Sequence, residues 1–133
     1  MATIRREIRI KADPEQVWAA VRDVGAIHER LTPGMVTDTK MDGDTRLVTF
    51  AHGPVARELI VSLDDVSRRF AYSVIESSLP MTHHHAVFEV DPDGPGCTLL
   101  IWTADVFPHE VAGAVRELMT KGGEDIKRTL EAG

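Results

Sequence analysis

Residues 108–130 read PHEVAGAVRELMTKGGEDIKRTL. Val111, Val115, Leu118, Met119, Gly122, Ile126 and Thr129 recur at about 3.6 residues and so fall on one face of a helix. Glu117–Lys121 and Glu124–Arg128 stand at i,i+4 on the remaining surface, a spacing at which opposite charges support a helix. One long helix with one apolar face needs something to cover. What precedes it in the chain decides the fold.

Upstream, from Met35 to Phe107, short β-rich runs alternate with turn signals. The turns are MDGD (41–44), HGP (52–54), LDDVSRR (63–69), SLP (78–80) and DPDGPG (91–96). Between them lie RLVTFA, VARELIVSL, FAYSVIES, THHHAVFEV and CTLLIWTADVF. Turns at this spacing predict an antiparallel meander in which each strand pairs with the next. At the start of the chain, TIRREIRIK (3–11) alternates: Ile4, Arg6, Ile8 and Ile10 share one side, Arg5, Glu7, Arg9 and Lys11 the other. That is a strand with one wet face. Asp13, Pro14 and Gln16 then form a capping-box pattern ahead of Val17, Val21 and Val24. Gly25 interrupts, and a second short helix is expected over about Ala26–Leu31, before TPG.

The predicted architecture is α+β: one strand, two short helices, about six further strands, one long C-terminal helix. The 133 residues read as one domain, 1–133. An antiparallel sheet buries one face, and the long helix is what can cover it. A helix is narrow beside about seven strands spaced at roughly 4.8 Å. A curved sheet gripping it leaves a cavity, expected at about 300–1,000 Å³ against Val115, Leu118, Met119, Gly122 and Ile126. Two adjacent glycines in mid-helix, Gly122 and Gly123, cost up to about 1 kcal/mol each relative to alanine. Either they let helix and sheet approach closely, or their missing side chains enlarge the cavity.

Composition removes several functions. A formal charge of −6 is wrong for a protein whose main task is to bind a nucleic-acid backbone. No apolar run is long enough to cross a bilayer, and MATIRREIRI has no apolar core of the secretory kind. The only cysteine, Cys97, fits a reducing cytoplasm and reads as a structural thiol.

This order of elements resembles the helix-grip fold of the START-like superfamily, also called SRPBCC. That group includes the polyketide cyclase/dehydrase family, the birch-pollen allergen proteins and the plant abscisic acid receptors. The resemblance covers nearly the whole chain. It is carried by IRIKADPEQVWAAVRDV, by GDTRLVTFAHGPVARELIVSLDDVSRRFAYSVIESSLPMTHHHAVFEV and by GCTLLIWTADVFP. Such members bind lipids, hormones, polyketides or aromatic compounds, and only some do chemistry, so the likeness bears on fold more than on function. The middle block is similar to the abscisic acid receptors, in which the glutamate of E-L-x-x-x-D-D faces the cavity. That implies Glu58, with Val48 and Phe50 on the preceding strand and Tyr72 and Val74 on the following one. HGP stands where those receptors carry a gating loop reading S-G-L-P, but is shorter and lacks the leucine. Their pocket tyrosine on the next strand corresponds to His84.

Three consecutive histidines, His83–His85, cannot form a three-ligand cluster on a strand, because neighbours point to opposite faces. The set His84, Ala86, Phe88, Val90 is the more apolar and is expected inside. His83 and His85 read as solvated, and no spacing supplies a third ligand, so neither metal nor other cofactor is expected. His84 and Glu58 lie two strands apart, about 9–10 Å at the backbone, with Tyr72 between them. These three are the candidates for hydrogen bonding or proton transfer to a ligand. Trp18 and Trp102 read as packing residues, with a cavity position open for Trp102. Arg46 and Arg57 read as surface charges. His28, His52 and His109 are expected exposed, near elements that can rim a mouth.

The leading expectation is a protein that binds a small hydrophobic or aromatic molecule, polyketide- or lipid-like. A cyclase, aromatase or dehydratase using a His/Glu acid–base pair is the alternative, and a partner-binding module without ligand a third. The residues specify neither ligand nor oligomeric state.

Overall fold

The computed structural model describes residues 1–133. Its elements are β1 (Ala2–Ile10), α1 (Pro14–Arg22), α2 (Ile27–Arg30), β2 (Val36–Asp42), β3 (Thr45–Phe50), β4 (Val55–Asp64), β5 (Arg69–Glu76), β6 (His83–Pro92), β7 (Thr98–Phe107) and α3 (Ala112–Ala132). A 3-10 turn at His109–Val111 leads into α3. The seven strands form one antiparallel sheet in the order β1-β7-β6-β5-β4-β3-β2. From β2 to β7 each strand pairs with its successor, the expected meander. β1 joins its far side, along β7. This is the helix-grip arrangement.

Alternation sets the inner face. Ile4, Ile8 and Ile10 of β1 are buried, as are Phe70 and Tyr72 of β5, His84, Ala86, Phe88 and Val90 of β6, and Leu100, Ala104 and Val106 of β7. α3 lays Val115, Met119, Gly122, Gly123, Ile126 and Leu130 against that face. Leu118 and Thr129, expected there too, are half-buried at its margin.

Gly122 and Gly123 settle as contact points. A Cβ on Gly122 would lie 3.1 Å from two ring carbons of Trp102, and one on Gly123 3.0 Å from Cδ1 of Ile8. The space they leave is filled by those side chains, so close approach is their use.

Two local expectations need correction. Asp13 occupies the N-cap of α1 with Pro14 following, but its side chain makes no capping bond; only its carbonyl accepts, from Val17 N–H at 3.0 Å. Arg128 pairs with Asp125 at 3.0 Å, one residue nearer than the expected Glu124. Asp125 itself is buried, and its other oxygen accepts from Gly34 N–H at 2.9 Å. A carboxylate that ties down the α2–β2 connection is a better partner for Arg128 than one free in solvent. Glu117–Lys121 does form, at 3.0 Å.

Candidate functional site

Between the inner face of β3–β7 and the first half of α3 lies a cavity of about 570 Å³. Its mouth is bordered by the β3–β4 turn at Ala51–Pro54, the β5–β6 connection at Ser77–Met81, the α2–β2 connection and the outer side of α3 at Ala114, Glu117 and Lys121. Every expected wall residue but one is at the wall: Val48, Phe50, Glu58, Tyr72, Val74, His84, Phe88, Val115, Leu118, Met119, Gly122 and Ile126. Ala86 points inward but is wholly covered and does not line the cavity. His52 borders the mouth, whereas His28 and His109 do not.

The wall is mostly apolar, and its polar groups sit together. The expectation for Arg46 was wrong. It is 3% exposed and lies directly across the β3–β4 ladder from Glu58. Its Nε and Nη2 both reach the same oxygen, Glu58 Oε1, each at 2.8 Å. Nη1 donates to the carbonyl of Val24 at 3.0 Å. The guanidinium also lies 5.3 and 5.2 Å from the ring centres of Phe70 and Tyr72. A buried charge needs such partners. Period-two alternation, already used for Val48 and Phe50, would have placed Arg46 inside had it been carried back one more step.

Across the sheet from this pair, Phe70, Tyr72, Phe88 and Trp102 form an aromatic floor, Phe88 and Trp102 stacking at 4.6 Å. Trp102, whose facing the sequence left open, is at the wall, and its Nε1–H donates to the Tyr72 hydroxyl at 3.2 Å. Burial, and next the Glu58 carboxylate, push the Tyr72 phenol above its ordinary range, so it keeps its proton.

His84 stands where the sheet splays. The β5–β6 ladder ends at Tyr72–Ala86. One step beyond, the ring takes the place of a backbone acceptor: Val74 N–H donates to His84 Nδ1 at 3.0 Å, while Ser73 Oγ donates to the His84 carbonyl. Burial, with smaller contributions from His85 and His83, lowers the imidazole to about 4. The ring is neutral at pH 7, and with Nδ1 accepting, its proton must be on Nε2. His83 is exposed and His85 half-buried on the opposite face, and no three His, Cys, Asp or Glu side chains cluster as metal ligands would.

Two polar atoms at this end have no partner in the chain: His84 Nε2 and Glu58 Oε2. The fully enclosed orphan polar atoms are Arg6 Nε, His28 Nδ1 and Thr39 Oγ1, and these two are not among them. Both therefore open onto the space their residues line.

The sequence matches, over residues 1–132, the family described as polyketide cyclase/dehydrase and lipid transport. The chain belongs to that family. No curated protein matches significantly. Among solved structures, the fold of this polyketide cyclase/dehydrase family member is similar to that of a Thermobifida fusca protein. The two are 28% identical with a TM-score of 0.80, over 99% of this chain and 91% of that one. It is also similar to a START superfamily protein from Mycobacterium smegmatis, at 15% identity and a TM-score of 0.72, over 98% and 94%. A third is the di-domain ARO/CYC BexL of the BE-7585A biosynthetic pathway, at 14% identity and a TM-score of 0.84, over 98% of this chain and 47% of that one. No helix of this family member is long and apolar enough to cross a membrane.

Proposed function

We propose that the protein binds a small hydrophobic or aromatic molecule, polyketide- or lipid-like, in the cavity between sheet and α3. The observation that carries this is an apolar space of about 570 Å³ with two partnerless polar atoms opening onto it. The volume suits a molecule of two or three fused rings or a folded chain of similar size. The family, whose description includes lipid transport, supports the same reading.

The test is titration with N-phenyl-1-naphthylamine, a neutral apolar fluorophore. One site is expected, weakened about tenfold or more by Leu118→Trp, which fills the space near the mouth, and unchanged by Val66→Trp on a turn away from it. Equal binding to both variants, or none to the parent, would end the reading.

Chemistry in the same cavity is the second reading, favoured by a free carboxylate oxygen and a phenol that keeps its proton. In it Glu58 takes the proton beside a ligand carbonyl while Tyr72 and His84 donate to the oxygen. His84 is not the base, because one nitrogen accepts from Val74 and the other already carries hydrogen. Glu58→Gln should then lower turnover by about a hundredfold or more with little change in affinity.

A further inference from the structure

The charges at the cavity cancel. Four of its lining residues are Arg, Lys, Asp or Glu: Arg46, Glu58, Glu117 and Lys121. They form two ion pairs, Arg46–Glu58 at 2.8 Å deep in the wall and Lys121–Glu117 at 3.0 Å at the mouth. Arg46 spends two of its N–H groups on one Glu58 oxygen and another on the Val24 carbonyl. In the buried wall no cation is left for an acidic ligand, Lys121 being a solvated surface charge at the mouth, and a carboxylate moved from water into an apolar site without a counter-charge is strongly disfavoured. A ligand ammonium fares no better, since Glu58 is already neutralised.

The remaining polar atoms have fixed and opposite senses. His84 Nε2 is a donor, because Val74 holds the ring in that tautomer through Nδ1. Tyr72 receives the Trp102 N–H, so its own hydrogen is available as a second donor, on the strand between those of His84 and Glu58. Glu58 Oε2, two strands from His84 and one from Tyr72, is an acceptor.

Resting on the ligand-binding reading above, we infer that the cavity selects uncharged molecules that carry both a carbonyl and a hydroxyl, and binds them in one direction. The carbonyl oxygen lies toward His84 and Tyr72, and the hydroxyl donates to Glu58 Oε2. Carboxylic acids of the same shape are excluded. Arg46 acts as a specificity-determining residue by being occupied: its charge is cancelled by Glu58, so it does not recruit anions.

Three naphthalene probes test this by titration calorimetry at pH 7.5: methyl 6-hydroxy-2-naphthoate, 6-hydroxy-2-naphthoate, and methyl 6-methoxy-2-naphthoate. The hydroxy ester should bind about tenfold or more tightly than the acid, and about fivefold or more tightly than the methoxy ester, which cannot donate to Glu58. In Glu58→Gln the wall gains a net positive charge, so the acid should gain on the ester about tenfold or more. A role of Glu58 in folding alone would not move that ratio. Acid binding as tightly as ester to the parent protein overturns the inference, and this comparison needs no variant. So does a well-folded Glu58→Gln with an unchanged acid-to-ester ratio. If all three bind without discrimination, the ligand-binding reading stands and the selectivity falls. If none binds, both fall.

Discussion

Replacing Arg46 by Met is the sharpest test of the buried ion pair. The guanidinium gives two hydrogen bonds to Glu58 Oε1 and one to the Val24 carbonyl, at 3% exposure. Methionine fills much of the same volume but leaves the carboxylate unpaired. Stranding one partner of a buried pair costs about 3–5 kcal/mol. The lower end applies here, because Glu58 Oε2 opens onto the cavity and water can reach it. Unfolding entropy of about 2.1 cal/mol/K per residue over 133 residues gives about 0.28 kcal/mol/K. A loss of about 3 kcal/mol therefore lowers the midpoint by about 11 °C. Calorimetry on Arg46→Met, Glu58→Met and the double variant gives the coupling directly. The double variant should recover about 2–3 kcal/mol relative to the sum of the singles, since it buries no charge at all. If Arg46→Met melts within about 2 °C of the parent, or the singles simply add, the pair is not what holds these strands' inner face, and the inference about charge cancellation loses its base.

The unfolded His84 ring titrates near 6.5 and the folded one at about 4. The unfolded chain therefore binds more protons in that window, and the stability from the neutral ring is complete above it and lost as pH falls through it. The advantage of the parent over His84→Asn, measured by urea titration, should shrink by up to about 3 kcal/mol from pH 7 to 4, and a flat difference contradicts burial of the neutral ring. Gly122→Ala pushes against Trp102, which is clamped by Phe88, and should cost about 1–3 kcal/mol before the helix gain of up to about 1 is returned, with a shift in Trp102 emission. Gly123→Ala meets only the flexible end of Ile8 and should be near neutral by thermal melt. Asp125→Ala removes the acceptor of Gly34 N–H, so that amide should exchange faster and stability fall by about 1–3 kcal/mol.

Much of this was legible in the residues. The turn spacing between Met35 and Phe107 gave the meander, and the period of the last helix gave the face that covers it. One more step of alternation from Val48 to Arg46 was all the deepest charge needed. An arginine reads as a surface residue until its partner is seen, and the partner lies on another strand. Asp125 was illegible for a different reason: its partner is a backbone amide in a distant loop, and no side-chain pattern marks an amide. The tautomer of His84 was out of reach for the same reason, since it depends on where the β5–β6 ladder stops.

The sheet order has a consequence for how the molecule assembles. Strands β2 to β7 can zip by successive hairpins, each closing a short loop. β1, the first strand in the chain, has no neighbour until β7 exists, and its register joins Ala2 to Val106. That long closure carries the entropic cost the hairpins avoid. β1 also contributes Ile8, on which Gly123 rests. Docking of the first strand and seating of the last helix are thereby one late event. The helix that roofs the cavity is seated with β1, after the residues of β3–β6 that line it are already in register.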